Sequence, residues 1–361
     1  MRQARFLAPW KDDPHGKAAL YHCVSRVVDR RKVFERAEKE QFVKFLRLYE
    51  RFCGLRVRAY CVMGNHFHVL VEVPPRPEET MGDEELLERL GLIYSDLKVA
   101  EVRGQLQMRR EAGDDAGAEA LKEEKFLYRM WDLSQFMKVL KGRFTQWFNK
   151  RHARKGTLWE DRFKSVLVED GYTARVMAAY IDLNPVRAGL ADDPARYRWS
   201  SYGAAVAGDR RARAGIERTM TEYEEEVHFV VGTVDWRRVS GMYRVILFED
   251  GEERYALVGS GPEQRVEIVR RGISAEAVAR ERTRGGQMSR MKLLRMRLRQ
   301  ATEGLVWGSK EFVNVVYELR RELFGPNRRD GARKIRGTSE DGIWTMRDLG
   351  GLESRDANES G

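Results

Sequence analysis

The chain has 361 residues, 42% of them hydrophobic, which is enough for two or three domains with packed cores. Its formal net charge of +10 favours polyanionic partners through counterion release. No run of about 18 apolar residues is present, so no membrane span is expected, and the opening MRQARFLAPWKDDPHG lacks the long apolar core of a signal peptide. The cysteines Cys23, Cys53 and Cys61 cannot all pair and show no CxxC spacing, which predicts a reducing, cytoplasmic location.

Residues 18–30, AALYHCVSRVVDR, predict a first strand. Residues 35–53 predict a helix with Phe42, Phe45, Leu46 and Tyr49 on one face, ended at Cys53-Gly54. The stretch 58–73, RAYCVMGNHFHVLVEV, predicts a strand that stops at Pro74-Pro75. Alternate side chains share a face, so His66 and His68 stand side by side with Val62, Gly64 and Leu70. Residues 76–130 are charged and predict a helical insertion with a glycine break at EAGDDAGAEA. Ser134 is placed to cap a helix running to Arg151, with Phe136, Leu140, Phe144 and Phe148 as its apolar stripe. GTLWEDRFKSVLVED reads as a turn and a strand over 163–168, and GYTARVMAAYIDLNPVRAGL as a helix ended near Pro185. The order predicts an α+β fold, helices packed on a small antiparallel sheet, over residues 1–205. Residues 206–336 predict a mainly helical, basic second domain, with strands around Asp250-Gly251 as an option, and residues 337–361 a disordered tail.

Two imidazoles on one strand face flanked by aliphatics are both expected to be neutral, because desolvation penalises imidazolium. Neutral imidazole is a metal ligand. A core role for each histidine is the competing reading. Structural zinc needs four ligands, and no nearby cysteine pair supplies them. Tyr180 and Asn184 are four residues apart, so they share a helical face. Taken alone, that pair also fits a core tyrosine and a helix-ending asparagine.

Several blocks in order carry a resemblance: YHCVSR at 21–26, AYCVMGNHFHVLVEVP at 59–74, GTLWEDRFKSVLVED at 156–170, YIDLNPVRAGL at 180–190 and YRWSSY at 197–202. With His66-Phe67-His68 as the bulky-residue-spaced histidine pair, the chain resembles the HUH single-tyrosine transposases, and more closely the REP-associated tyrosine transposases. Gly64 stands where relatives often carry Pro or Ser. The resemblance implies an HUH catalytic domain in which Tyr180 is the nucleophile. His66, His68 and Asn184 then hold Mg²⁺ or Mn²⁺, hard ions suited to imidazole, amide and water. It implies metal-dependent cleavage and rejoining of single-stranded, hairpin-forming repeat DNA through a 5′-phosphotyrosine, with a homodimer as one expected assembly. Alternatives are a catalytically silent repeat-DNA-binding regulator and an RNA-processing metallonuclease. Trp159 and Phe163 can stack on unpaired bases, or belong to the core, while Arg162 and Lys164 can contact phosphate. Eight basic residues between Arg280 and Arg299 face one acid. Arg290, Lys292, Arg295 and Arg297 among them are candidate phosphate contacts in a helical appendage, or a solvated basic face.

Overall fold

A computed structural model describes residues 6–227, 236–251, 254–258, 265–270, 304–325, 328–335 and 343–346, together with 273, 276, 278 and 279. In chain order it begins with β1 (Ala19–Arg26), α1 (Arg36–Cys53), β2 (Arg56–Val62) and β3 (His66–Val73). Helices α2 (Asp83–Gly91), α3 (Asp96–Glu111), α4 (Asp115–Lys125) and α5 (Leu133–Arg151) follow, then β4 (Lys164–Val168). Next come α6 (Tyr172–Asp182), α7 (Asn184–Arg187), α8 (Ser201–Val206), α9 (Arg210–Val227) and α10 (Trp236–Gly251). A hairpin of β5 (Arg254–Val258) and β6 (Arg265–Arg270) stands apart from the main sheet. The described chain closes with β7 (Val306–Gly308), α11 (Lys310–Glu318), β8 (Arg333–Lys334) and β9 (Trp344–Met346).

The main sheet has the order β2-β3-β1-β4-β7-β9-β8, and every neighbouring pair is antiparallel except β4–β7. Period-two alternation divides its side chains between two buried layers. Tyr21, Cys23, Phe67, Val69 and Val71 pack with Phe42 of α1 and Phe144 of α5. Leu20, Ala59, Cys61, Leu70, Val166 and Val168 pack under Met177 and Ile181 of α6 and Tyr243 of α10. The fold is thus mixed α and β, with helices on both faces of one sheet. The insertion is helical, and its Leu86, Leu90, Val102 and Leu106 bury into the first layer.

Two local expectations need correction. The histidine stretch is a hairpin, not one strand: Met63 N donates to His66 O at 2.9 Å, and the chain reverses at Gly64-Asn65. The turn resets the alternation, so Cys61 lies directly across from His68 and on its face. Asp132, not Ser134, caps α5 by accepting from Gln135 N at 2.7 Å. Helix α6 ends at Asp182, three residues before Pro185, as expected, and Pro185 stands in the first turn of α7, where its missing N–H leaves no bond unmade.

The boundary expected near residue 206 is not a break in packing. Helix α9 lies along β2, and Gly215 comes so close that a Cβ there would sit 2.7 Å from the carbonyl oxygens of Val57 and Arg58. Strand β7 adds to β4 in register Leu167↔Val306, and β9 adds to β7. The tail expected to be disordered over 337–361 therefore contributes Trp344–Met346 to the main sheet.

Candidate active site

The registers that build the sheet also gather the candidate residues. On one face, Val24 of β1 lies opposite His68 of β3 and Lys164 of β4, and Arg26 lies opposite His66. His22, one alternation back, reaches diagonally, and its Nε2 stands 2.9 Å from His68 Nδ1. The two rings are stacked with centroids 5.2 Å apart. Helix α6 crosses this face and sets the Tyr180 ring edge-on to both, 6.0 Å from His22 and 5.9 Å from His68. His66 joins at 5.1 Å from His68. His66, His68 and Tyr180 are thus brought together, and His22 is with them. Its signal was present in YHCVSR, since His22, Val24 and Arg26 share one alternation, but nothing in that strand alone distinguishes it from a core histidine.

The electrostatics follow from burial and two arginines. Burial, helped by Arg26, lowers the His66 pKa to about 4. Burial pushes His68 well below the usual imidazole value, and His22, His66, Arg26 and Arg187 add to the effect. Both rings are therefore neutral near pH 7. Burial raises the Tyr180 phenol above its ordinary value, while Arg187 acts the other way. The Arg187 guanidinium stands 5.0 Å from the Tyr180 ring and donates to Tyr180 O at 3.2 Å. Sequence reading missed Arg187, although a spacing of seven places it on the Tyr180 side of the helix.

The histidines fit a divalent cation in their chemistry. His66 Nδ1 is bonded to Asn65 Oδ1 at 2.7 Å, which directs the Nε2 lone pair outward. His68 Nδ1 is bonded to His22 Nε2, and with the shared proton on His68 Nδ1 the Nε2 of His68 carries the lone pair that could ligate. Ligating histidines are commonly oriented in this way through the other ring nitrogen. Among the described residues no group of three or more His, Cys, Asp or Glu is arranged to hold a metal, so an ion on the two histidines would need water or substrate oxygen to complete its shell. Asn184 is differently engaged: its Nδ2 donates to Tyr180 O at 3.0 Å and Ile181 O at 3.2 Å, the bonds of a helix-ending asparagine.

The nucleic-acid candidates divide. Trp159 is buried on the opposite sheet layer among Phe34, Phe67 and Phe144, and its indole N–H donates to Thr145 Oγ1 at 2.9 Å. Phe163 is buried there too. Base stacking on either is therefore corrected to a core role, because period-two alternation sends both away from the histidine face. Arg162 and Lys164 are exposed at the histidine end of the sheet. Arg290, Lys292, Arg295 and Arg297 lie outside the described residues.

Residues 17–80, which include His22, His66 and His68, match the family model described as Transposase IS200 like. Over that stretch the chain is similar to the IS200-like transposases. Tyr180 lies beyond the matched transposase segment. Among solved structures the chain is similar to one of "the REP associates tyrosine transposase bound to a REP hairpin". Identity is 13% and the TM-score 0.36, over 58% of this chain and 87% of that one. A comparison with curated proteins gave no match.

Proposed function

We propose that this chain cleaves and rejoins single-stranded DNA through a covalent bond to Tyr180. The observation that carries the reading is the Tyr180 ring set against the His22–His68 pair, at a sheet end bordered by Arg26, Lys164 and Arg187. The IS200-like match over 17–80 and the sequence blocks through 202 support the same chemistry. In the proposed step, Tyr180 Oη forms a bond to phosphorus as the bond to the 3′ oxygen breaks. The phenol proton ends on the freed 3′-OH, and the DNA keeps its 5′ phosphate on the protein. The phosphodiester energy is conserved, so a second 3′-OH reverses the step and joins strands without ATP.

His66 and His68 would hold Mg²⁺ or Mn²⁺, which supplies charge neutralisation at a non-bridging phosphate oxygen. Arg26 and Arg187 attract the phosphate to the neutral histidines, and Arg187 favours the phenolate of Tyr180 against its burial. Hairpin-forming repeats are the proposed substrate, since a folded strand offers shape and unpaired bases together.

The test is a denaturing gel of full-length protein with end-labelled single-stranded hairpin DNA and Mn²⁺. A protein–DNA adduct that resists denaturation is expected, and Tyr180→Phe should abolish adduct and cleavage while sparing binding. Tyr180 is only 3% exposed, which gives the silent-regulator reading one specific support. That reading wins if the hairpin binds and neither adduct nor nick forms. Nicking by Tyr180→Phe at the wild-type rate would instead point to water as nucleophile.

A further inference from the structure

At the histidine end of β1 the chain opens a cleft on the side of the sheet away from Tyr180. It has a volume of about 410 Å³. Its floor is apolar, with Val27, Val33, Phe148 and Leu158, and Arg31 and Arg154 stand among its lining. None of the lining residues is acidic. Val27 is the next residue after Arg26, and alternation turns it to the opposite face, so the cleft lies one residue step from the histidine site.

The walls are held in conformations that L side chains rarely adopt. Asp29 and Arg30, in the turn between the lining residues Val28 and Arg31, have φ of 56° and 54°, and the lining residue Ala153 has φ of 47°. Such strain persists only where surrounding bonds impose it, and it concentrates at ligand clamps. Val28 N donates to Leu158 O at 3.0 Å, and Asn65 Nδ2 donates to Arg30 O at 2.9 Å. The same Asn65 accepts from His66 through Oδ1. One amide therefore joins the turn beside the cleft to a histidine of the candidate active site.

The geometry points to this cleft as the seat of an unpaired nucleobase of the same DNA strand whose phosphate lies at His66 and Tyr180. The reading rests on the single-stranded DNA function proposed above. An apolar, aromatic-floored cleft takes the base, and Arg31 meets the adjoining phosphate. Arg154 is oriented by its bonds to Asn149 Oδ1 and Thr157 O, and His152 is stacked on Phe148 with centroids 4.2 Å apart, so the wall is already formed. Charge selects the occupant: a base flanked by phosphates satisfies both the floor and the basic residues, whereas a neutral apolar ligand uses only the floor.

The experiment scans a single abasic position along a labelled single strand and measures binding to the full-length protein by fluorescence anisotropy. Wild type should show one position where loss of the base weakens binding roughly tenfold or more, the scale of one stacked base. Val33→Trp fills the cleft, so the intact strand should bind as weakly as that abasic strand and the scan should become flat. Arg31→Gln, at an exposed position that leaves the floor intact, should keep the position-specific loss and lower the log–log salt slope by roughly 0.7. A flat scan in wild type, or the same dip retained in a folded Val33→Trp, overturns the cleft while leaving the DNA reading in place. If Val33→Trp fails to fold, an Arg31→Gln salt slope equal to wild type overturns it. Failure of wild type to bind any single strand overturns the function proposed above, and the cleft with it.

Discussion

Asn65 is a small residue with two duties, and each oxygen or nitrogen of its amide has one. Oδ1 fixes the His66 ring and Nδ2 holds the turn at Arg30. Removing such an orienting partner typically weakens metal binding 10- to 100-fold. Asn65→Ala should therefore weaken Mn²⁺ binding by roughly tenfold in a calorimetric titration, with little change in secondary structure. Unchanged affinity would mean that His66 is oriented by its backbone alone. Asp182 makes a different kind of prediction. It is fully buried and accepts from Ser201 Oγ, Tyr202 N and Tyr243 Oη at 2.8–2.9 Å, tying the end of α6 to α8 and α10. Burial outweighs those bonds and raises its pKa to about 6. Between an unfolded value near 3.8 and about 6, the folded state binds more protons than the unfolded state. Stability from this group is thus fully present below pH 3.8 and is lost as pH rises through 6. Asp182→Asn removes that dependence, so the variant should gain about 2–3 kcal/mol on wild type between pH 3.5 and pH 7.5 in urea melts. An equal difference at both pH values would show that Asp182 is not the group responsible. The histidine pair and Tyr180 were legible in the sequence because each sits in a periodic, motif-bearing stretch. His22, Asn65 and Arg187 were not, because their roles come from diagonal and cross-element contacts that no local spacing encodes.

At the scale of elements, the sheet was legible in part. The helix over 35–53, the stripe of α5 and the strand after Trp159 follow from periodicity, and the structure has them within a residue or two. The hairpin at Gly64-Asn65 was hidden because apolar residues continue through the turn, so alternation alone could not show the reversal. The packing of α9 on β2 was also hidden, since it depends on one missing side chain. At Gly215 the helix approaches two strand carbonyls, and three residues on, Arg218 reaches Glu72 at 2.7 Å. Glu72 also binds buried Arg58 at 2.7 Å, and Arg58 in turn binds Asp170. Burial works to raise the Glu72 pKa, but Arg218 and Arg58 together hold it below the usual carboxylate range. Gly215→Val must displace backbone, so it should cost about 1–3 kcal/mol in chemical denaturation. A melt matching wild type would mean that α9 can lift from β2 without loss.

For the whole molecule, composition suggests that residues 1–205 fold alone, and the structure predicts the reverse. Tyr243 of α10 closes on Asp182, α9 covers β2, and β7 pairs with β4. Cutting at 205 strips α9 and α10 from α6 and β2 and leaves the β4 edge open. Fragment 1–205 should therefore be aggregation-prone under conditions where the full chain is monodisperse by light scattering. A soluble, folded fragment with native-like near-ultraviolet dichroism would restore the boundary near 206. The reason sequence could not decide is physical: the change in composition there is real, but a parallel strand pair can join segments of any separation.

That pair, Leu167↔Val306, has a consequence for how the protein is made. The strand that neighbours β4 leaves the ribosome about 140 residues after it, roughly 7–30 s later at ordinary elongation rates. Throughout that interval the nascent chain already carries both histidines and Tyr180, yet β4 still awaits its partner. Competence is thus timed by translation. A message broken before codon 306 yields a polypeptide with the histidine and tyrosine cluster but an unsealed sheet, a form suited to clearance by proteolysis.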